Sequence, residues 1–476
     1  MANKYTNLND LFTAMANAIR LKNESTGTII ADNFPTEIAN LKTRFDYNNQ
    51  NVAVLPDHAF YGCEGLNNVD CYNLTNVGAS AFEDCKNLKT VILYDGVESV
   101  GENAFKGCNE DLTIYCMFDN KPDTWHENWN PDDCKVVWNS AIETWNISVT
   151  EEDNVTAKLY NDINNEGYYT LIISGSGNMK DYSVSNSAPW YGYRYNIKSV
   201  AIFDSVISIG NYAFYNCSRL TSIDIPDGVT SIGKYVFDDC TSLTSIIIPD
   251  SVTSIGSGAF HDTPWLEARR QENPLVIVNN ILIDGQTCSG DVVIPDSVTN
   301  INGEAFYHCT NLTSVIIPDS VTSIGEYAFE NCTSLTSITI PDSVTSIGYD
   351  AFRSCSSLAS ITIPDSVTTI GRDAFNKCAS LASITIPNSV ISIGTQAFRE
   401  CTSLTFITIP DSVTRINDYA FYKCTNLASI TYIGTVAQWK AMSFGSGWNM
   451  STGNYTIHCT DGDITKDGTI TYHIAT

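Results

Sequence analysis

Eleven cysteines recur at one position of a repeated pattern, three residues after a phenylalanine: Cys63, Cys85, Cys108, Cys217, Cys240, Cys309, Cys332, Cys355, Cys378, Cys401 and Cys424. Thiols in a column can pair as disulfides or hold zinc. Side chains that leave neighbouring coils in parallel seldom satisfy the disulfide torsion. No Cys-x-x-Cys pair or mixed Cys/His cluster offers zinc a tetrahedral ligand set. Packing as small buried apolar side chains is the role the pattern favours.

A second column is acidic: Asp227, Asp250, Asp296, Asp319, Asp342, Asp365 and Asp411, with Asn388 interrupting it. Like charges roughly 5 Å apart repel by about 0.8 kcal/mol in bulk water, which solvent and salt tolerate. Turn formation explains these aspartates; calcium bridging between neighbours is the alternative, and no other cofactor is expected. The pairs Asp461-Gly462-Asp463 and Asp467-Gly468 hint at a cation loop. They lack the 12-residue spacing and terminal glutamate of an EF-hand, so a polar turn is expected. The six histidines, His58, His126, His261, His308, His458 and His473, are scattered along the chain. With no His-Glu-x-x-His, Gly-x-Ser-x-Gly or phosphate-cradling glycine loop, the sequence predicts no active site and no catalytic residue.

Composition narrows the partners. The chain has 476 residues, 43% hydrophobic and 11% aromatic, enough to bury real cores. It carries 26 basic against 53 acidic side chains, a net charge of −27. Nucleic acid needs clustered Lys and Arg, which are missing, so neither nucleic acid nor an anionic membrane is an expected partner. The longest apolar runs, such as Ser245-Ile246-Ile247-Ile248, have strand length and predict no membrane insertion. The opening Met1-Ala2-Asn3-Lys4-Tyr5-Thr6-Asn7 shows no secretory signal as the sequence stands.

These columns exist because the chain repeats. Ala-Phe or its degenerate form returns with Phe214, Phe237, Phe260, Phe306, Phe329, Phe352, Phe375, Phe398 and Phe421 at a 23-residue step, doubled once between 260 and 306; an earlier array carries Phe60, Phe82 and Phe105. A short period held this long predicts a solenoid. In the unit from Ala328 to Gly348, Leu335, Ile338 and Ile340 should point inward from a first short strand and Val344 and Ile347 from a second. Pro341 ends the first strand, because it has no N–H for the ladder, and Asp342-Ser343 suits the turn. One coil cannot bury its apolar face alone, so stability must come from stacking at about 4.8 Å.

Serines and threonines such as Ser337, Thr339, Ser360 and Thr362 line the outward side of the first strand, and Phe406 breaks the serine column. Hydroxyl repetition gives little discrimination, and β-propensity accounts for the threonines. Variation between units concentrates on either side of Ala-Phe. Tyr327, Tyr349, Arg353, Arg372, Arg399, Tyr419 and Tyr422 are therefore the candidate partner-binding residues, since Tyr and Arg dominate interface hot spots; a merely solvated corner is the competing reading.

The unit closely resembles the BspA-type leucine-rich repeat of bacterial surface proteins, in the form Ala-Phe-x-x-Cys-x-x-Leu-x-x-Ile-x-Ile-Pro-x-x-Val-x-x-Ile-Gly. The resemblance implies a β-rich repeat solenoid with adhesion or interaction roles and no catalysis. It divides the chain into a helical docking segment at 1–45, a first array with a Trp-rich cap (Trp125, Trp129, Trp138) at 46–140, and a small β segment at 141–200 capping the second array. That array runs over 201–432 with an insert at 261–290, and 433–476 form a cap and a polar, loosely ordered tail.

In residues 1–45, Leu8, Leu11, Phe12, Met15 and Ile19 fall on one helical face, too little surface to stand alone, so the segment should dock on the first array, on its own copies as a homo-oligomer, or on another protein. Asp10-Leu11-Phe12-Thr13-Ala14-Met15-Ala16-Asn17-Ala18-Ile19-Arg20 resembles the amino-terminal segment of tail and structural proteins from phages of Gram-positive bacteria. Together these resemblances imply a virion-borne, tail-associated host-recognition or decoration protein. The alternatives are a bacterial cell-surface adhesin for host protein or glycan, and a passive structural spacer.

Overall fold

Apolar and polar residues alternate over three to five positions before each proline, and this builds short strands with one buried face. A computed structural model describes residues 45–46 and 54–473, apart from 64, 65, 67, 72, 73, 164 and 204. Leu8, Leu11, Phe12, Met15 and Ile19 lie outside the described residues. The chain divides into two compact units: the first ends at Val252, and the second runs from Thr253 and includes Gly233–Tyr235.

In the second unit the strand Ser337–Thr339 pairs in parallel with Leu312–Ile316, aligning Ser314 with Ser337 and Val315 with Ile338. Ser346–Ile347 pairs likewise with Ser323–Ile324. A register of one full repeat sets every side chain on its own counterpart. Phe329, Phe352, Phe375, Phe398 and Phe421 accordingly form one stack, with ring centroids 5.3–5.5 Å apart and planes within 6° of parallel. Leu335, Ile338, Ile340, Val344 and Ile347 are buried as expected, in one continuous core that runs from Leu282 to Ile464. Gly348 is required by this close stacking, because a Cβ there would meet the backbone nitrogen of Glu326 at 2.6 Å.

The turn around Ala-Phe departs from what its residues prefer locally. Tyr327 and Asn331 adopt φ of 57° and 60°, and Asp350, Ser354, Asp373, Lys377, Gln396 and Glu400 repeat the left-handed pattern without a glycine. Each such residue costs on the order of 1–2 kcal/mol. The compensation is a polar ladder: the amides of Tyr327, Phe329 and Asn331 donate to the carbonyls of Tyr349, Ala351 and Arg353, at 2.8–3.0 Å. Stacking thus satisfies a corner that would otherwise expose backbone.

Nine of the eleven column cysteines are buried, as expected, while Cys63 and Cys108 are half-buried, and all described cysteines are free thiols. The column also closes hydrogen bonds between coils: Cys355, Cys378 and Cys401 each donate from Sγ to the carbonyl of the phenylalanine one coil earlier, Phe329, Phe352 and Phe375, at 3.1 Å. Burial pushes the Cys108 thiol up to about 12 and that of Cys63 to about 11, which suppresses the nucleophilic thiolate.

In the first unit, Phe60, Phe82 and Phe105 stack at 5.4–5.5 Å, and Trp129 meets Phe105 edge-on at 5.8 Å, with Trp125 against it. Glu143–Asn146, Thr156–Asn161, Tyr169–Ser174 and Ile197–Ile202 form a mixed sheet. Trp190, between the third and fourth of these strands in sequence, stacks on Phe214 at 6.1 Å and donates from Nε1 to the Ala213 carbonyl at 2.8 Å.

The insert contributes the helix Pro264–Glu272, with Thr263 as N-cap accepting from the Leu266 amide and proline in the first turn. The hairpin Val276–Val278 with Ile281–Asp284 follows. At the carboxy-terminal end, the helix Val436–Ala441 opens on a Thr435/Gln438 capping box, and Trp448 lies edge-on against Phe421. The tail corrects one expectation. Residues 462–473 are not loosely ordered: Gly462–Thr465 and Ile470–Tyr472 add two antiparallel strands, because Ile464 pairs with Ile457 and is buried. Among the described residues no helix is long and apolar enough to cross a membrane.

Candidate binding edge

The residues beside Ala-Phe project from the polar ladder, so their spacing along it is set by the coils. Tyr327 and Tyr349 meet edge-on with centroids 4.8 Å apart. Tyr419 and Tyr422 do the same at 5.7 Å, and the Arg399 guanidinium lies over the Tyr422 ring at 5.4 Å. Tyr327, Tyr349, Arg353 and Arg372 belong to three successive coils; Arg399, Tyr419 and Tyr422 form a second group on the next two coils. Tyr419 and Arg372 are the exposed members, with the Arg372 side chain 68% accessible.

The arginines are not free. Arg353 Nη1 lies 3.3 Å from Asp350 Oδ1 and 3.6 Å from Glu330 Oε1. Arg372 Nε donates to Asp373 at 2.9 Å, and Arg399 Nη1 to Gln396 at 2.7 Å. The sequence pattern passes over these carboxylates as functional residues, yet Glu330, Asp350 and Asp373 are buried beneath the edge. A signal is present for two of them: Asp350 stands three residues before Arg353, and Asp373 directly follows Arg372.

Burial, opposed by Arg353 and reinforced by Asp350, holds the Glu330 carboxyl above its ordinary 4.5. Burial and the Asp373 charge raise Asp350 in the same way. The folded chain therefore keeps these protons to higher pH than the unfolded chain does. Their stabilising contribution is present in acid and is lost as pH rises through the ordinary values, 3.8 for Asp350 and 4.5 for Glu330, toward the raised ones. Glu330→Gln should accordingly raise Tm at pH 7–8 and leave it nearly unchanged near pH 4; thermal melts at both pH values check this, and an equal shift at both would contradict it.

The acidic column sits where expected. Asp319, Asp342 and Asp365 are exposed at turns closed by bonds such as Val344 N to the Pro341 carbonyl, at 3.1 Å. The neighbouring serines tie coils together: Ser343 Oγ donates to the Val321 carbonyl at 2.6 Å. On the outward strand face Ser337, Thr339, Ser360 and Thr362 are exposed, as is Phe406 at 49%. Asp467 accepts from the Thr469 amide at 3.0 Å and stands in the polar turn expected for it. The histidines are less scattered than their sequence positions, for His458 and His473 meet at Asp463.

The family described as BspA type leucine-rich repeat region matches residues 12–117, 189–281, 285–401 and 345–461. Among solved structures, the leucine-rich repeat protein of T. pallidum is 36% identical over 34% of this chain and 75% of its own, with a TM-score of 0.31. A leucine rich cell surface protein from Faecalibacterium prausnitzii is 25% identical over 82% of this chain and 86% of its own, with a TM-score of 0.34. A leucine-rich repeat protein from Eubacterium ventriosum is 24% identical over 65% and 95%, at 0.37. No curated protein matches the chain. The extent of the family match, with the stacked coils that carry its pattern, shows that this chain belongs to the BspA-type leucine-rich-repeat family.

Proposed function

We propose that the chain is a non-enzymatic, surface-exposed adhesion protein that meets a protein or glycan on a cell surface through the edge beside Ala-Phe. The observation that carries this reading is the contrast along the solenoid. The core and outward strand repeat almost unchanged, while Tyr and Arg vary from coil to coil on a backbone held at fixed dihedrals. A rigid aromatic and cationic edge loses little entropy on binding. The relative from Faecalibacterium, described as a cell surface protein, supports the surface location.

Joint substitution of Tyr327, Arg372 and Tyr419 by alanine should weaken attachment to intact cells by on the order of 30-fold or more, as removal of one or two hot spots does. Arg353 is left in place because it neutralises buried carboxylates. Unchanged attachment, with unchanged Tm, would favour the passive spacer. A finer reading, in which the surface carrying the chain is a phage particle, rests on the segment Asp10-Leu11-Phe12-Thr13-Ala14-Met15. Deleting residues 1–45 would then abolish particle association while sparing cell binding.

A further inference from the structure

The turns beside Ala-Phe collect cations that the sequence keeps one repeat apart. Residues 372–377, 395–400 and 418–423 carry Arg372, Lys377, Arg399 and Lys423 against Asp373, Glu400 and Asp418. Four cations against three acids leave this stretch positive, in a chain whose net charge is −27. Asp373 is buried against Arg372, and Asp418 accepts from the Ser446 amide at 2.7 Å. Lys377, Arg399 and Lys423 remain, grouped around Glu400.

Lys377, Glu400 and Lys423 take the same position in three successive coils, with φ of 61–62° at each, so their side chains leave the edge in one column. The Lys377 amide donates to the Arg399 carbonyl and the Glu400 amide to the Tyr422 carbonyl, at 2.7 and 2.8 Å, which fixes that column. Lys423 Nζ lies 3.3 Å from Glu400 Oε1, and Arg399 Nη2 lies 3.4 Å from the same oxygen. Against its partial burial, the Lys423, Arg399 and Lys377 charges hold the Glu400 carboxyl below its ordinary 4.5. Arg399 and Lys423 also lie over the Tyr422 ring, 5.4 and 5.3 Å from its centroid. One internal carboxylate thus meets three cations, and both lysines stay exposed to a further anion.

We propose that Lys377, Arg399 and Lys423 bind the carboxylates of an acidic polysaccharide, with the Tyr422 ring packing against a sugar face. This names the partner class for the recognition edge and rests on that reading of the edge, although neither lysine belongs to its Tyr and Arg candidates. The phenylalanines beneath stack at 5.4 and 5.5 Å from coil to coil, so the edge offers one cation per coil. A row at constant spacing suits a partner that is itself a repeating polymer, and one carboxylate per sugar matches its charge density. Duplex DNA carries a charge every ~1.7 Å, and the acidic remainder of the chain repels so dense a polyanion. Guanidinium and ammonium donors bond carboxylate oxygens with charge assistance, and at an exposed edge salt weakens that attraction.

The test uses the full chain and polygalacturonate oligomers in calorimetry, with neutral dextran, polyglutamate and duplex DNA as comparisons. Polygalacturonate should bind, and less tightly as salt rises. Lys377→Gln with Lys423→Gln should weaken binding by on the order of 10-fold or more, the loss expected for two charge-assisted bonds. Both lysines are exposed, so Tm should hardly change. Glu400→Gln removes the internal competitor and should tighten binding by about 3-fold, a gain that a merely structural role would not produce. No binding to polygalacturonate, equal or tighter binding of any comparison polymer, or affinity unmoved by the lysine pair would overturn the proposal. Cell attachment that in such a case still depends on Tyr327, Arg372 and Tyr419 strikes the partner class and leaves the edge reading standing.

Discussion

Phe352→Ala should cost the second unit about 3–5 kcal/mol, the range for truncating a fully buried phenylalanine. The ring has no exposed surface and stacks at 5.3 Å on Phe329 and 5.5 Å on Phe375. Most core positions in a globular domain can relax from several sides. Here the coils above and below are pinned by the ladder amides, with Phe329 N donating to Ala351 O and Phe352 N to Ala374 O at 2.8 and 2.9 Å. Collapse into the cavity would break those bonds, so the loss should fall toward the upper end of the range. Phe406→Ser supplies the contrast. That side chain is 49% exposed on the outward strand face, where serine is the repeated residue, and its removal should stay within about 0.5 kcal/mol. Urea denaturation of both variants measures the difference; similar losses for the two would mean that the stacked column does not hold the array together.

How much of this was legible follows from which interactions are local. The 23-residue period and the inward set Leu335, Ile338, Ile340, Val344 and Ile347 could be read directly, because strand alternation and proline punctuation are properties of a few adjacent residues. The left-handed turns at Tyr327, Asp350 and Gln396 could not. None is a glycine, and the bonds that hold them come from a coil 22 residues away. Glu330 was hidden for a related reason: its partner Arg353 lies on the next coil, so no window of one repeat contains the pair. Ile464 shows the same limit at the tail, where a polar composition masked one buried residue that pairs a strand. The candidate edge was readable as variation, but not as a set of arginines already committed to buried acids.

That commitment shapes what the edge can offer a partner. Arg353 and Arg399 are partly used in neutralising or bonding their neighbours, so a ligand competes for them, while Arg372 and Tyr419 stand further out. Tyrosine pairs held edge-on supply area without a need for reordering. Recognition at this edge would therefore rest on rings and on one exposed guanidinium more than on the whole arginine row.

The insert gives the second large effect. Arg270, on the helix Pro264–Glu272, donates from Nε to Asp284 Oδ1 at 2.9 Å and from Nη2 to Oδ2 at 2.6 Å, and Nη2 also reaches Gln286 Oε1 at 3.1 Å. Asp284 is 1% exposed. Arg270→Met leaves that carboxylate buried with only the Gln286 amide, 3.3 Å away, for support, and should destabilise the unit by about 3–5 kcal/mol at pH 7. Adding Asp284→Leu removes the orphaned charge and should recover most of the loss, since a buried ion pair exchanged for apolar side chains is often neutral. Thermal melts of the single and double variants at pH 7 separate the contributions. A double variant as unstable as the single one would show that packing of the Arg270 stem, and not its charge, secures the helix to the array.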